Sequence, residues 1–151
     1  MRLKPNMVLR WRTLLMVYVA ILLFSITLNA QTTNVIARDA WVRVPLPSKT
    51  ETALFMVLEN HSPQARAVVS VSSDAAATAE MHQMTMIKMT MVMTQVSKIG
   101  IPANGKTALD PNGFHIMLFG LKMRPAVGDK IDVTLKLDDG TTVPVEATVR
   151  K

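Results

Sequence analysis

Two adjacent segments near the end of the chain alternate between apolar and polar residues, and this alternation constrains the fold more than any other feature. Residues 131–137 place apolar side chains at every second position, and residues 143–149 do the same after the turn residues Asp138, Asp139 and Gly140. A period of two is typical of a strand with one buried and one exposed face. The pattern therefore predicts an antiparallel hairpin in an all-β domain.

Further strand candidates follow residue 30, separated by segments rich in turn-forming residues. Residues 53–58 form a continuous apolar run of strand length, and 36–44 and 68–71 are two more candidates. Pro, Gly, Asn, Asp and Ser, which favour turns, cluster at 45–48, 60–63, 102–105, 110–113 and 128–129. No segment shows the apolar period of an amphipathic helix. The part of the chain after residue 30 is therefore predicted to form a single-domain β-sandwich or barrel, and it is long enough for one core.

Residues 1–30 have the layout of a secretory signal peptide. Basic residues without any acid precede an apolar run from Leu14 to Phe24, and a more polar stretch ends at Ala30, after which we expect cleavage. An uncleaved membrane anchor is the alternative, although an apolar run extended to Leu28 is still shorter than the roughly 17 residues needed to span a bilayer. No cysteine follows the run, so a lipid anchor is not expected. The predicted domains are a signal peptide at 1–30 and a secreted β-sandwich at 31–151.

The net charge of +6 does not indicate nucleic-acid binding. Four of the 17 basic residues lie before residue 31, which leaves 13 basic and 11 acidic residues in the remainder. No basic stripe with interleaved aromatic residues is present, as nucleic-acid binding would require. An enzyme is not indicated either, because the sequence shows no nucleophile–base pair, no glycine-rich phosphate loop and no paired carboxylates at a readable site.

The chain has 12 methionines, three histidines and no cysteine. Thiolate ligands for zinc, iron–sulfur clusters or blue copper are therefore lacking, and so are disulfides. A site for a soft metal ion would have to use thioether sulfur and imidazole nitrogen. These donors suit an oxidising compartment, where free thiols are lost to disulfide formation.

Six of the methionines fall within residues 81–93. After His82 they occupy even positions up to 86 and odd positions from 89 onwards, and this change of phase predicts a hairpin. A two-residue turn at Ile87 and Lys88, or a wider four-residue loop with the same centre, would place His82 opposite Met93 on one face, with Cβ atoms roughly 4.5–5.5 Å apart. The alternative interpretation is a core strand in which flexible methionines fill irregular gaps.

A second pair of candidate ligands follows the turn at 111–113. His115 and Met117 are two residues apart and project from one face of a predicted strand. With His82 and Met93 they supply two imidazoles and two thioethers, all of them neutral. Such a donor set selects Cu(I) over hard cations and over zinc. We therefore predict that these four residues bind Cu(I).

The other methionines, the third histidine and one tryptophan are not predicted to belong to the four-residue site. The sequence leaves open whether Met84 or Met91 adds a further ligand. Met81 is predicted to face the core, on the side opposite His82. His61 is predicted to be a solvated loop residue and Trp41 to be a core aromatic residue.

The ligand spacing resembles that of the periplasmic copper chaperone family PCu(A)C. That family carries a histidine, ten residues, a methionine, twenty-one residues, and then His-x-Met, which His82, Met93, His115 and Met117 match at every position. Flanking segments are similar as well, so the resemblance extends over residues 36–149. The similar flanking segments lie at 39–43, 101–105, 109–113, 115–118 and 128–129.

The resemblance implies a cupredoxin-like Greek-key β-sandwich that holds one Cu(I) at an exposed site in the periplasm. It implies delivery of copper to an acceptor such as subunit II of cytochrome c oxidase, at its Cu(A) centre, or another copper chaperone. Gln83 departs from the family, which usually has Glu there, and Lys88 and Met89 replace an acidic residue and glycine in the hairpin. These departures bear on partner choice. No His/Met-rich tail follows, so no second site is expected at the end of the chain.

Two further interpretations of the sequence are open. The surplus of methionines could serve copper sequestration and tolerance instead of delivery. The same residues could form the apolar face of an envelope interaction module that binds no metal, and such a module predicts that copper has no effect on stability.

Overall fold

The computed structural model describes residues 34–151, and every regular element in this range is a β-strand. In chain order the strands are β1 (Val35–Arg43), β2 (Thr52–Asn60), β3 (Arg66–Ser72), β4 (Ala76–Ile87), β5 (Thr90–Gln95), β6 (Ile99–Ile101), β7 (Lys106–Leu109), β8 (Phe114–Leu121), β9 (Lys130–Leu137) and β10 (Thr142–Arg150). Within this part of the chain no helix has the length and hydropathy to cross a membrane. The predicted signal peptide at 1–30 lies outside the described residues.

The alternating segments form the predicted antiparallel hairpin. β9 and β10 pair with Val133 opposite Val145, and in each strand buried residues alternate with exposed ones. The odd-numbered residues point into the core, as the period of two requires. The predicted strands at 36–44, 53–58 and 68–71 are likewise confirmed as β1, β2 and β3.

The strands are hydrogen-bonded in the order β5-β4-β8-β7-β2-β1-β10-β9-β3-β6, and β8 also pairs with β2. β1 joins two halves of this series, because it pairs antiparallel with β2 and parallel with β10. Both halves contribute side chains to one core cluster, so they face each other as the layers of a β-sandwich. Core residues of the β1, β2 and β8 side include Val42, Leu54, Leu58, Ile116 and Leu118; those of the other side include Val68, Ile99, Leu135, Val145 and Val149.

The methionine-rich segment forms the predicted hairpin, but the predicted centre of its turn is wrong. The turn consists of Lys88 and Met89, both with positive φ (47° and 64°), so Met84 lies opposite Met93 and His82 lies opposite Gln95. A turn at Ile87 would force a β-branched residue into the left-handed region, which is costly. The correction moves the register by two residues, so the faces on which the side chains lie are unchanged.

β4 and β8 each direct one face into the core and the other face away from it. Met81 and Ile116 face the core cluster, which confirms the prediction for Met81. The alternate residues of both strands therefore face away from that core, and these include His82 and His115. The functional candidates thus lie on the outer face of the sheet.

Candidate metal centre

The two candidate histidines lie side by side on neighbouring strands. His82 on β4 is directly opposite His115 on β8, and their ring centroids are 6.0 Å apart. Both side chains are buried although they face away from the core cluster. Sequence spacing predicted that both histidines belong to one site, and the β4–β8 pairing is what brings them together.

His115 presents one ring nitrogen to a methionine sulfur. Its Nδ1 lies 3.2 Å from the carbonyl oxygen of Gly113, and its Nε2 lies 3.3 Å from Sδ of Met93. A carbonyl oxygen only accepts hydrogen bonds, so Nδ1 of the neutral imidazole carries the proton and Nε2 carries the lone pair. The lone pair of His115 is therefore available to a metal ion beside a thioether.

His82 is held by a carboxylate that was not among the predicted site residues. Its Nε2 lies 2.9 Å from Oε2 of Glu80, whereas its Nδ1 is buried without a hydrogen-bond partner. A carboxylate accepts the Nε2 proton, which leaves the lone pair of the neutral ring on Nδ1. Metal-binding histidines commonly donate their other nitrogen to a carboxylate in this way. The signal in the sequence was the spacing of two, which puts Glu80 and His82 on one face of β4.

Three of the four predicted ligands line one cleft of about 450 Å³ on the outer face of the sheet, and these are Met93, His115 and Met117. Met84, which the sequence left open, lines the same cleft and is opposite Met93 in the hairpin. His82 is not among the lining residues. Its ring lies beside that of His115, and its Nδ1 is the atom that a metal ion would have to reach.

An aromatic cluster supports the cleft behind His115. The ring of Phe55 is almost fully buried, and its centroid lies 6.2 Å from that of His115 and 4.6 Å from that of Trp41. The guanidinium of Arg43 lies 5.4 Å above the same ring. The prediction that Trp41 is a core residue is wrong, because Trp41 is half-buried and packs on this outer face. The continuous apolar run of β2 was the sequence signal for Phe55, because a strand that is buried on both faces does not alternate between apolar and polar residues.

The environment of His115 favours its neutral form. Burial lowers the pKa of His115 below the ordinary value of 6.5, and the nearby His82 and Arg43 lower it further. The Gly113 carbonyl and Asp110 act in the opposite direction and do not reverse the shift. The Nε2 lone pair therefore stays available at neutral pH.

The sequence and the fold match known proteins along nearly the whole described range. The model of the LpqE-like family, described as "Putative lipoprotein LpqE-like", matches residues 35–149. This chain belongs to the LpqE-like family. A relative named "Putative lipoprotein Lxx21020", from Leifsonia xyli subsp. xyli, is 36% identical over 126 residues, which cover 82% of this chain and 74% of the relative.

Solved structures similar to this LpqE-like chain include a protein with and without Cu(I). DR1885 from Deinococcus radiodurans has an apo solution structure that is 36% identical, with a TM-score of 0.62, covering 81% of this chain and 82% of that one. Its Cu(I) form is 35% identical, with a TM-score of 0.61, covering 84% and 85%. The copper-bound PCuAC domain from PmoF2 is 21% identical, with a TM-score of 0.65 and coverage of 78% and 92%. The predicted fold class, a cupredoxin-like Greek-key β-sandwich, is confirmed.

The donor set of this LpqE-like chain is soft. Within residues 34–151 no group of three or more His, Asp and Glu side chains is arranged to hold a metal ion. The cleft instead combines the Nε2 lone pair of His115 with the thioethers of Met84, Met93 and Met117. These residues fit a soft monovalent cation such as Cu(I), which binds thioether and imidazole without requiring a charged ligand. The buried lone pair on Nδ1 of His82 is a further donor that such an ion would satisfy.

The remaining histidine of the LpqE-like chain lies outside the site. His61 follows β2 and is exposed, and its Nε2 lies 3.5 Å from Oε2 of Glu59. This agrees with the prediction of a solvated loop residue. Met56 is buried in the core and Met123 is exposed in the segment after β8, so neither contributes to the cleft.

Proposed function

We propose that this LpqE-like protein is a copper chaperone that binds Cu(I) through His82, Met93, His115 and Met117. The observation that carries the proposal is the 3.3 Å approach of His115 Nε2 to Met93 Sδ, within a cleft that Met117 also lines. His82 joins through the lone pair on Nδ1, or Met84, which lines the cleft, takes its place. DR1885, which is 35% identical in its Cu(I) form, supports copper as the cargo.

The arrangement suits transfer of the ion by ligand exchange. Thioethers are neutral and need no proton to leave, so one can be replaced by an incoming donor while the others keep the ion bound. Met93 is 46% exposed, which makes it the ligand that an acceptor can reach first. A single ion fills only a small part of the cleft, so room remains for a donor side chain of the acceptor. We propose no catalytic role.

The setting and the acceptor are parts of the same proposal. The signal-like segment at 1–30 and the lipoprotein names of the relatives support a location in the cell envelope, which we propose to be the periplasm. The resemblance to PCu(A)C proteins supports a copper-acceptor protein as partner, either cytochrome c oxidase subunit II or another copper chaperone. Contact with a membrane would come only through the N-terminal segment.

A Cu(I) titration against a chromophoric competing chelator tests the proposal. We expect the protein to bind one equivalent tightly and the His115→Ala/Met117→Ala double variant to lose that equivalent. The His61→Ala variant is the matched control, because it removes an exposed histidine outside the cleft and should bind as the parent does. The loaded protein is then mixed with an apo acceptor. A parent that does not bind Cu(I) tightly would refute a copper role. Tight binding without transfer to the acceptor would indicate that the protein stores copper and does not deliver it.

Copper sequestration is the second candidate, and the exposed methionines of the β4–β5 hairpin favour it. It predicts several Cu(I) ions per chain and a growth defect confined to excess copper when the protein is lost. A metal-free interaction module would instead give the same unfolding curve with and without Cu(I).

A further inference from the structure

The tip of the β4–β5 hairpin carries methionines that the proposed centre does not use. Met86 lies directly opposite Met91, one rung further from the sandwich than the pair formed by Met84 and Met93. Directly opposite residues share a face, with Cβ atoms roughly 4.5–5.5 Å apart. The four side chains therefore form two successive rungs of a thioether ladder, whose outer rung is Met86 and Met91.

The two faces of the hairpin are strictly segregated. One face carries the ladder, whereas the opposite face carries only Gln, Thr, Ile and Val. Those residues are Gln83, Thr85, Ile87, Thr90, Val92 and Thr94. β-branched residues such as Thr, Ile and Val favour strands in general, so the β structure does not explain why methionine occupies all four positions of the two rungs beyond His82 and Gln95. The segregation points to a role for the sulfur atoms on that face.

Packing does not explain the outer rung. Met86 is 67% exposed and Met91 is 42% exposed, and neither belongs to the core cluster. Methionine fills gaps in cores, but these two exposed side chains fill no gap in the core cluster. An exposed apolar pair at the end of a hairpin is therefore unaccounted for by the stability of the fold.

We infer that Met86 and Met91, together with Met84, form a second position for Cu(I) on the hairpin. The three donors are thioethers on one face, and such donors bind a soft monovalent cation in preference to a hard one. Successive rungs are two residues apart along a strand, or about 7 Å, so the outer position adjoins the His115 centre. This inference goes beyond the proposed function and rests on it only for the identity of the ion.

Met84 links the two positions. It is the diagonal neighbour of Met91 on the outer rung, and it also lines the cleft with His115 and Met117. An ion held by Met84, Met86 and Met91 can move inward by exchanging the outer pair for Met93 and His115, while Met84 keeps it bound. The ion stays Cu(I) throughout, and no proton or electron moves. The inner position binds more tightly, because imidazole is the stronger donor and the cleft is less exposed.

The test is a Cu(I) titration of the full chain against chelators of graded affinity under anaerobic, reducing conditions. The parent should bind a tight first equivalent and a weaker second one. In the Met86→Leu/Met91→Leu variant, which conserves side-chain volume, the second affinity should fall at least about tenfold while the first stays within about twofold. The Met123→Leu variant is the matched control, since Met123 is 82% exposed outside the hairpin, and it should retain both.

A second measurement separates this inference from the proposed function. The His115→Ala/Met117→Ala variant should lose the tight equivalent and keep the weaker one, and X-ray absorption should then show sulfur as the only ligand. With methyl-labelled methionine, the resonances of Met86 and Met91 should shift on binding while that of Met123 stays fixed. A parent that binds only the tight equivalent, or a leucine variant that still binds both, would overturn the inference. A missing tight equivalent with the weaker one retained would overturn the proposed function alone.

Discussion

At the scale of single residues, the centre is organised by which ring nitrogen each histidine keeps free. His115 donates Nδ1 to the Gly113 carbonyl and leaves Nε2 beside Met93, whereas His82 donates Nε2 to Glu80 and leaves Nδ1 buried. The two rings therefore offer lone pairs from different nitrogens. The acceptor that each ring contacts fixes its tautomer before any ion binds.

Glu80 is expected to act as a positioning residue for His82. The Glu80→Ala variant leaves Nε2 of a buried ring without its acceptor and frees the ring to turn, so Cu(I) affinity should fall about tenfold. The Glu80→Gln variant keeps an acceptor oxygen and should retain most of the affinity. Competition titration measures both, with Glu146→Ala as the control, because Glu146 is an exposed carboxylate that pairs with Lys130 on the other layer. Tighter binding in Glu80→Ala would contradict this role and would mean that Glu80 competes with the ion for His82.

The lowered pKa of His115 predicts how stability depends on pH. Because the pKa is depressed in the folded protein, the unfolded chain binds a proton more readily as the pH falls through 6.5. The contribution to the free energy of unfolding is thus fully present above 6.5 and is lost as the pH falls towards the lower folded pKa. Denaturant unfolding of the apo protein across this range measures it. His115→Gln should flatten the slope, and an unchanged slope in that variant would contradict the assignment to His115.

At the scale of elements, the β4–β5 hairpin is built on a turn of unsuitable residues. Two-residue hairpin loops of type I′ need positive φ at both positions, for which asparagine and glycine are the favoured residues. Lys88 and Met89 adopt φ of 47° and 64°, and Met89 is 94% exposed. The hairpin therefore retains backbone strain at its tip.

Replacing the turn should stabilise the protein. The Lys88→Asn/Met89→Gly variant relieves two left-handed non-glycine residues, and we expect the free energy of unfolding to rise by about 1 kcal/mol. Chemical denaturation measures the gain as a shift in midpoint at constant m-value. Met123→Gly serves as the control, because glycine at a residue without positive φ should leave stability unchanged or lower it. A destabilised turn variant would show that the side chains of Lys88 and Met89 make contacts the hairpin needs.

The sequence predicted this hairpin correctly, but it did not predict how the two strands pair. Alternation of methionines predicted a hairpin and the correct faces, because side-chain direction depends only on parity. It could not locate the turn by spacing alone, and Ile87 was placed in it although a β-branched residue resists positive φ. Glu80 and Met84 were undervalued for a different reason. Glu80 contacts His82 on the same strand, and spacing puts the two on one face without showing that their side chains meet, whereas the partner of Met84 lies across the β4–β5 pair, which only the assembled sheet determines.

At the scale of the whole molecule, the sandwich assembles donors that are distant along the chain. His82 lies on β4, Met93 on β5, and His115 and Met117 on β8, and only the β5-β4-β8 order of the sheet brings them to one face. Local alternation predicted β9 and β10 directly. The order of the strands arises from how the two layers bury their apolar faces against each other, which no short segment of sequence specifies. The unfolded chain therefore has the same donors without the site.

A site that exists only in the folded protein must couple copper binding to stability. At a free Cu(I) concentration a hundredfold above the dissociation constant, the free energy of unfolding should rise by about 2.7 kcal/mol. Denaturation with and without Cu(I), under reducing conditions and at fixed pH, measures the increase. The His115→Ala/Met117→Ala variant should show little of it, whereas Met123→Leu should show all of it, because Met123 lies outside the cleft. Unfolding curves of the parent that coincide with and without Cu(I) would leave the thioether-lined cleft without a metal role, and the exposed methionines would then be best explained as a protein-binding face.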